Sequence, residues 1–331
     1  MVESQVVLQK IGMMFLVMVV GWWSARRSYL TPAVTRGMGL LVVQLTFPAL
    51  IFVQMTGTVT PMALRRGWWI PLFAFASIAI AAAIGKGMAP LFKLTDTRAR
   101  TFAFLVAVPN WVFLPLPIAE GLYGSEGVRF VLLFNFGAQI VLWTLGIRLL
   151  QGGKPGEPVW RALLGNAGIW ATLGGVTLAL VWPGAAQLGH SSQDTALWIM
   201  GDGVTAALKM IGDLTIPLSL LATGAQLAGM AKAGPNEWRI LSAISFGRLV
   251  LAPVVTIVLL RGAVLMTGVS LTEAEFITAA IVTSMPVAIS CTMFAERFDG
   301  DAELSASSIF SSTLLSLVTV PITVLICHGL T

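Results

Sequence analysis

Apolar runs of about twenty residues alternate with short polar joins along the chain. Their length decides the fold class, because a ~30 Å hydrocarbon layer is crossed by about 20 helical residues. Ten runs qualify: Val6–Trp23, Gly37–Met55, Trp68–Phe92, Thr101–Leu122, Val128–Leu150, Leu163–Val181, Lys209–Gly229, Trp238–Leu260, Glu275–Phe298 and Ser305–Ile326. They predict an all-α polytopic membrane protein with ten transmembrane helices, segments 1 to 10. The joins leave no room for a soluble domain. The longest polar stretch, Gln151-Gly-Gly-Lys-Pro-Gly-Glu-Pro158, favours an irregular path. It places a linker at 151–162 between a first five-helix repeat, 1–150, and a second, 163–331.

Two segments are interrupted near their centres by proline. Segment 4 reads Ala103-Phe-Leu-Val-Ala-Val-Pro109-Asn110 and segment 9 reads Ala280-Ile-Val-Thr-Ser-Met-Pro286-Val287. Proline removes an amide donor and frees a carbonyl that lipid cannot satisfy, so each break must face protein or a water-filled cavity. Paired breaks at corresponding places in two halves point to a transport site. Five segments per half oblige the second half to enter the membrane in the opposite sense, so the repeat is expected to be inverted. Leu45-Thr-Phe-Pro48 resembles Leu214-Thr-Ile-Pro217, and Leu94-Thr-Asp96 resembles Leu271-Thr-Glu273. The same 177 residues separate Leu94 from Leu271 and Pro109 from Pro286, and this shared register carries the argument.

Composition agrees with the pattern: 56% of the 331 residues are hydrophobic and 11% charged, where a soluble domain carries about 25% charged residues. Thirteen of the twenty Lys and Arg residues flank the joins after odd-numbered segments, six lie on the other side, and Arg248 lies inside segment 8. By the positive-inside rule the majority side is cytoplasmic, which puts both termini outside and the linker inside a cell inner (plasma) membrane. The net charge of +5 is therefore a topology signal, and no nucleic-acid partner is expected. Segment 1 is expected to be a true span, since Trp22-Trp23-Ser-Ala-Arg26-Arg27 follows it in place of a small-residue cleavage site. Cys291 and Cys327 lie in apolar segments and suggest neither a disulfide framework nor a zinc site.

The breaks also suggest what is bound. The N-terminal ends of two second half-helices near the midplane would present amides with partial positive charge, for which a carboxylate is the natural partner. Asn110 is expected to start the second half of segment 4, there either donating to substrate or satisfying carbonyls freed by the break. Ser290, one turn past Pro286, offers a hydroxyl or simply packs. Arg248 must face the protein interior, as a counter-charge for substrate or as a clamp on freed carbonyls. Asp213 is the best acid for proton coupling, although its place near the outer surface favours an ordinary helix-start residue. Asn135 and Gln139 in segment 5 are expected to face inward, one of them reaching substrate.

The residues so arranged resemble the auxin efflux carrier family, which includes plant PIN proteins and bacterial organic-anion permeases. The resemblance spans nearly the whole chain. It rests on the order and spacing of Val108-Pro109-Asn110, Pro115-Leu-Pro117, Leu122-Tyr-Gly124, Gln139-Ile-Val-Leu-Trp143-Thr144, Gly212-Asp213, Gly224, Arg248-Leu-Val-Leu-Ala-Pro253, Pro286 through Glu296, and Pro321. It implies segments 1, 2, 6 and 7 as a scaffold, and segments 3–5 and 8–10 as a transport domain whose segments 4 and 9 cross at Pro109 and Pro286. It further implies a homodimer that moves small carboxylates by an elevator-like shift. The substrate site would then comprise Pro109, Asn110, Asn135, Gln139, Pro286, Val287 and Ser290. Plant members tend to carry glutamine after the second proline; Val287 stands there instead, which favours aliphatic acids such as malate or malonate over auxin. A sodium-coupled bile-acid-type carrier is the alternative within transport, but Glu120 and Glu296 lie far along segments 4 and 9, so proton coupling or facilitated exit is preferred. A sensor of the same fold is the non-transporting alternative. No enzymatic activity and no cofactor are expected, since His190 and His328 lack acidic companions in sequence and no nucleophile–base pair is evident.

Overall fold

The computed structural model describes residues 2–152, 159–182, 184–185, 196–228, 235–268 and 270–330. Residues 153–158 of the expected linker and His190 lie outside the described residues. Those described are almost wholly helical; the one extended pairing is an isolated antiparallel bridge between Pro109 and Val287. Among the described residues six helices are long and apolar enough to cross a membrane: Pro32–Thr58, Pro61–Phe92, Pro115–Gln151, Met200–Ala228, Glu237–Thr267 and Ala302–His328. Gly12–Arg26 and Ala167–Val181 are shorter apolar helices.

Segments 4 and 9 are not continuous helices. The first is helical over Asp96–Ala107 and resumes at Pro115. The second is helical over Glu273–Thr283 and resumes at Cys291. The first break begins where Pro109 removes the next intrahelical donor, and the second begins at Ser284, two residues before Pro286. Nor is Pro115–Gln151 a single straight span. Gly124 has φ 54° and ψ −135°, and a Cβ on Gly127 would meet the backbone of Ala119. Residues eight apart on a straight helix are separated by about 12 Å, so the chain doubles back at Gly124.

Helix starts follow from local chemistry. Thr31 and Thr60 cap helices whose first residues are Pro32 and Pro61, where a missing N–H costs nothing. Thr272 and Glu275 form a reciprocal capping box, and Asp301 caps Ala302–His328 by accepting from Leu304 N–H. Single π-helical turns interrupt three helices, at Val42–Thr46, Leu142–Gly146 and Gly247–Leu251.

The chain divides into two compact units. One comprises residues 15–69 and 160–228. Within it Ala167–Val181 packs along Phe47–Thr58, and glycines allow backbones to touch. A Cβ on Gly175 would lie 2.8 Å from Met55 Cβ, one on Gly21 would strike the backbone of Leu221, and one on Gly224 that of Met18. Such close approach at small residues is the ordinary mode of helix association in lipid. Thr215 also hydrogen-bonds Thr46 at 3.0 Å.

The other unit comprises residues 1–14, 70–159 and 229–331 and holds both broken segments. Glu273–Thr283 packs on Pro115–Val141 and on Ala302–His328. The first half of segment 4 is entirely buried from Thr101 to Ala107, as is Glu273–Thr283 from Phe276 onward. At its edge Arg98 bridges Glu237 (2.8 Å) and Asp301 (3.2 Å), tying together the starts of segments 4, 8 and 10.

Candidate functional site

The two breaks meet. Asn110 N–H donates to Pro286 C=O at 2.7 Å, and Ala288 N–H donates to Val108 C=O at 3.1 Å. Proline thus creates the unsatisfied backbone of each segment, and the other segment satisfies part of it. Val287 N–H donates to Ser312 Oγ at 3.1 Å, and Cys291 Sγ lies 4.0 Å from Val108 C=O.

Arg248 completes the arrangement. It lies in the π-helical turn Gly247–Leu251 and is 2% exposed. Its guanidinium donates to Val106 C=O at 2.8 Å, more distantly to Ala107 C=O at 3.5 Å, and to Thr283 C=O. The fork therefore spans the C-terminal ends of both first half-helices, where carbonyls lose their intrahelical partners. Among the described residues no carboxylate lies within ion-pair distance of it.

Polar side chains gather beside the same point. Asn110 is buried, and its Oδ1 accepts from Phe113 N–H at 3.1 Å. That bond leaves Nδ2 with no partner among the described residues. Asn135, also buried, accepts at Oδ1 from Trp111 Nε1 (3.0 Å) and more weakly from Gln139 Nε2 (3.5 Å). Ser290 precedes Cys291–Arg297 and makes no capping bond with its side chain. Beyond it Phe294 contacts Trp143 edge-on at 5.6 Å and Phe104 at 6.3 Å. The site offers amide and hydroxyl donors beside one fixed cation, a set that suits a carboxylate.

Several expectations need correction. Asn110 does not begin the second half of segment 4; that helix starts at Pro115, five residues on. Its first turn is poor in donors, because Pro115 and Pro117 have no N–H and Leu116 N–H already donates to Val112 C=O. The second half of segment 9 has only 7 residues. Helix ends thus offer fewer free donors at the crossing than the breaks suggest. Asp213 ends the helix Ala196–Asp213 instead of starting one, pairs with Lys209 at 2.8 Å, and belongs to the other unit. His328, expected to lack an acidic companion, lies 3.3 Å from Glu273.

Two contributors escape a reading by motif. Trp111 follows Pro109-Asn110 directly and looks like ordinary apolar filling. Ser312 belongs to a row of buried hydroxyls, Ser305, Ser308, Ser312 and Ser316, at helical spacing in segment 10. That row is visible in sequence, and polar groups repeated on one face of an apolar helix signal a face turned from lipid.

Comparison with known proteins supplies the wider setting. The chain matches the family described as membrane transport protein over residues 6–158 and again over 154–324. It is 23% identical over 294 residues to an uncharacterized transporter of Methanothermobacter thermautotrophicus, covering 85% of each chain. It is 22% identical over 311 residues to an uncharacterized transporter of Methanocaldococcus jannaschii, covering 92% of this chain and 94% of that one.

Proposed function

The chain belongs to the membrane transport protein family and is a multi-pass membrane protein, and from that premise we propose that it is a secondary transporter of small organic carboxylates, of the auxin efflux carrier type. The observation that carries this reading is Arg248: a buried cation without an acidic partner among the described residues, held by hydrogen bonds to both broken segments beside the Asn110 amide and the Ser290 hydroxyl. A charge at membrane depth costs at least ~2.5 kcal/mol, and such residues commonly mark substrate pathways.

In this reading Asn110 Nδ2 and Ser290 Oγ donate to the carboxylate, Asn135 and Gln139 position its far end, and Arg248 supplies positive potential while fixing the crossing. Pro109, Pro286 and Val287 shape the walls. By analogy, Val287 in place of the glutamine that plant members tend to carry favours malate- or malonate-like acids over auxin. The unit holding both broken segments moves and the other stays fixed, giving an elevator-type exchange within a homodimer. The fold is ten spans in two inverted five-helix repeats, and both termini face the outside of the plasma membrane. Proton coupling or facilitated exit drives the movement.

The test is thermal stabilisation of the purified protein by a panel of mono- and dicarboxylates and aromatic acids, with Asn110→Ala beside the wild type. Ligand binding raises stability by mass action, so a dose-dependent shift with one acid, lost in the variant, is expected. No shift with any acid would refute the carboxylate assignment. Uptake of the same acid into proteoliposomes then separates a carrier from a sensor. Dependence of that uptake on sodium, insensitive to collapse of the proton gradient, would replace proton coupling by sodium coupling.

A further inference from the structure

A second basic site lies away from the crossing, in the same unit. A cavity of about 400 Å³ is lined by Lys86, Lys93 and Arg100, with Ala89, Pro90 and Leu149 among its apolar walls. Among the described residues no acid lines it, and none of the three cations has a carboxylate within ion-pair distance. Among the described residues Arg100 Nε is buried without a hydrogen-bond partner, and the guanidinium otherwise reaches only Thr97 Oγ1 at 3.4 Å.

The backbone is shaped to hold these groups. Lys93 adopts φ 48°, a left-handed conformation lysine rarely takes. Gly152, at φ 64°, abuts the Arg100 guanidinium so closely that a Cβ there would lie 2.6 Å from it. The position also matters. The helix Trp69–Met88 ends here and gives way to a 3₁₀ turn, Ala89–Phe92, in which Leu91 is 76% exposed. Three cations without an acidic partner among the described residues therefore surround a part-apolar cavity at the end of a membrane-spanning stretch, beside an apolar side chain turned outward.

We propose that this cavity binds the phosphate-bearing headgroup of an anionic membrane lipid, with Lys86, Lys93 and Arg100 on the phosphate and the acyl chains running past Leu91. Basic pockets at the membrane-water boundary of helical proteins recognise such headgroups, and lysine stems lie along apolar surface while the ammonium reaches the phosphate. A soluble phosphate would satisfy the cations but leave the apolar side of the site unused.

The experiment titrates detergent-purified protein with phosphatidylglycerol, reading bound lipid by native mass spectrometry and stability by thermal shift. Phosphatidylcholine, glycerol phosphate and inorganic phosphate are the comparison arms. At the usual gain per basic residue, Lys86→Gln/Lys93→Gln/Arg100→Gln should weaken phosphatidylglycerol binding about 150-fold, and Lys86→Gln/Lys93→Gln about thirtyfold. The double variant keeps the test valid should loss of Arg100 disturb folding. Arg36→Gln/Arg65→Gln/Arg66→Gln, which removes as much charge elsewhere, should bind as the wild type does. Equal binding by the triple variant and the wild type, or equal loss in the Arg36/Arg65/Arg66 variant, overturns the site. Equal stabilisation by inorganic phosphate at the same concentration overturns the lipid as its source. The readout is lipid binding and is independent of carboxylate transport.

Discussion

Replacing Arg248 by lysine separates two roles that the wild-type residue combines. Its closer hydrogen bonds reach Val106 C=O in one broken segment and Thr283 C=O in the other. Each hydrogen bond to a charged group contributes about 1.5–3 kcal/mol, so the two together stabilise the crossing by about 3–6 kcal/mol. Lysine keeps the charge but carries it on a single ammonium that cannot reproduce the planar fork. It should hold one carbonyl and lose the other, for a destabilisation of about 1.5–3 kcal/mol. Arg248→Gln loses the charge as well, but it also relieves a burial cost of at least ~2.5 kcal/mol, which offsets part of what the lost bonds contributed. Thermal midpoints at one fixed scan rate, with and without the stabilising acid, give the comparison, since unfolding of such proteins is commonly irreversible. Arg248→Lys should melt below the wild type and retain a ligand-induced shift, whereas Arg248→Gln should lose that shift. A lysine variant that melts with the wild type would refute the clamp.

Two further predictions concern packing and backbone satisfaction. Ser312→Ala leaves Val287 N–H without its acceptor and should cost about 1–3 kcal/mol, seen as a lower midpoint; an unchanged midpoint would mean that Val287 N–H finds water. Gly224→Ala drives a methyl group into the Met18 backbone, whereas a Cβ on Gly37 meets nothing within 4 Å. The first should lose about 1–3 kcal/mol or more by overpacking, the second should be near neutral, and equal yields of folded protein from both would contradict the close approach.

Much of this architecture is legible in the amino-acid pattern because lipid leaves the backbone few options. Apolar runs must be helices, and proline in a run must break it somewhere that is not lipid. Pro109 and Pro286 therefore announce both their segments and, through a common register, each other. Element ends are harder to read. Pro109 does not tell where helix resumes, since residues 110–114 form the crossing and its turns before Pro115 takes over. Asp213 misleads because apolar content falls near Lys209 and Asp213, although the helix Ala196–Asp213 runs through Lys209 and ends, instead of beginning, at Asp213. The role of Arg248 is undetermined in sequence for a different reason. Its hydrogen bonds go to backbone carbonyls, which every residue carries, so no side-chain pattern can point to Val106 or Thr283.

The π-helical turns at Val42–Thr46, Leu142–Gly146 and Gly247–Leu251 have a consequence for how related chains line up. A π turn closes i→i+5 hydrogen bonds, so it houses one residue more than the α-helix around it needs, and both flanks keep their faces. Related chains should therefore differ from this one by single-residue gaps inside apolar helices, where insertions are otherwise least tolerated. In the third turn the supernumerary position lies beside Arg248. A chain lacking it would be expected to present a different residue to the crossing, so that one codon gained or lost there would alter the site while leaving the rest of the helix as it was.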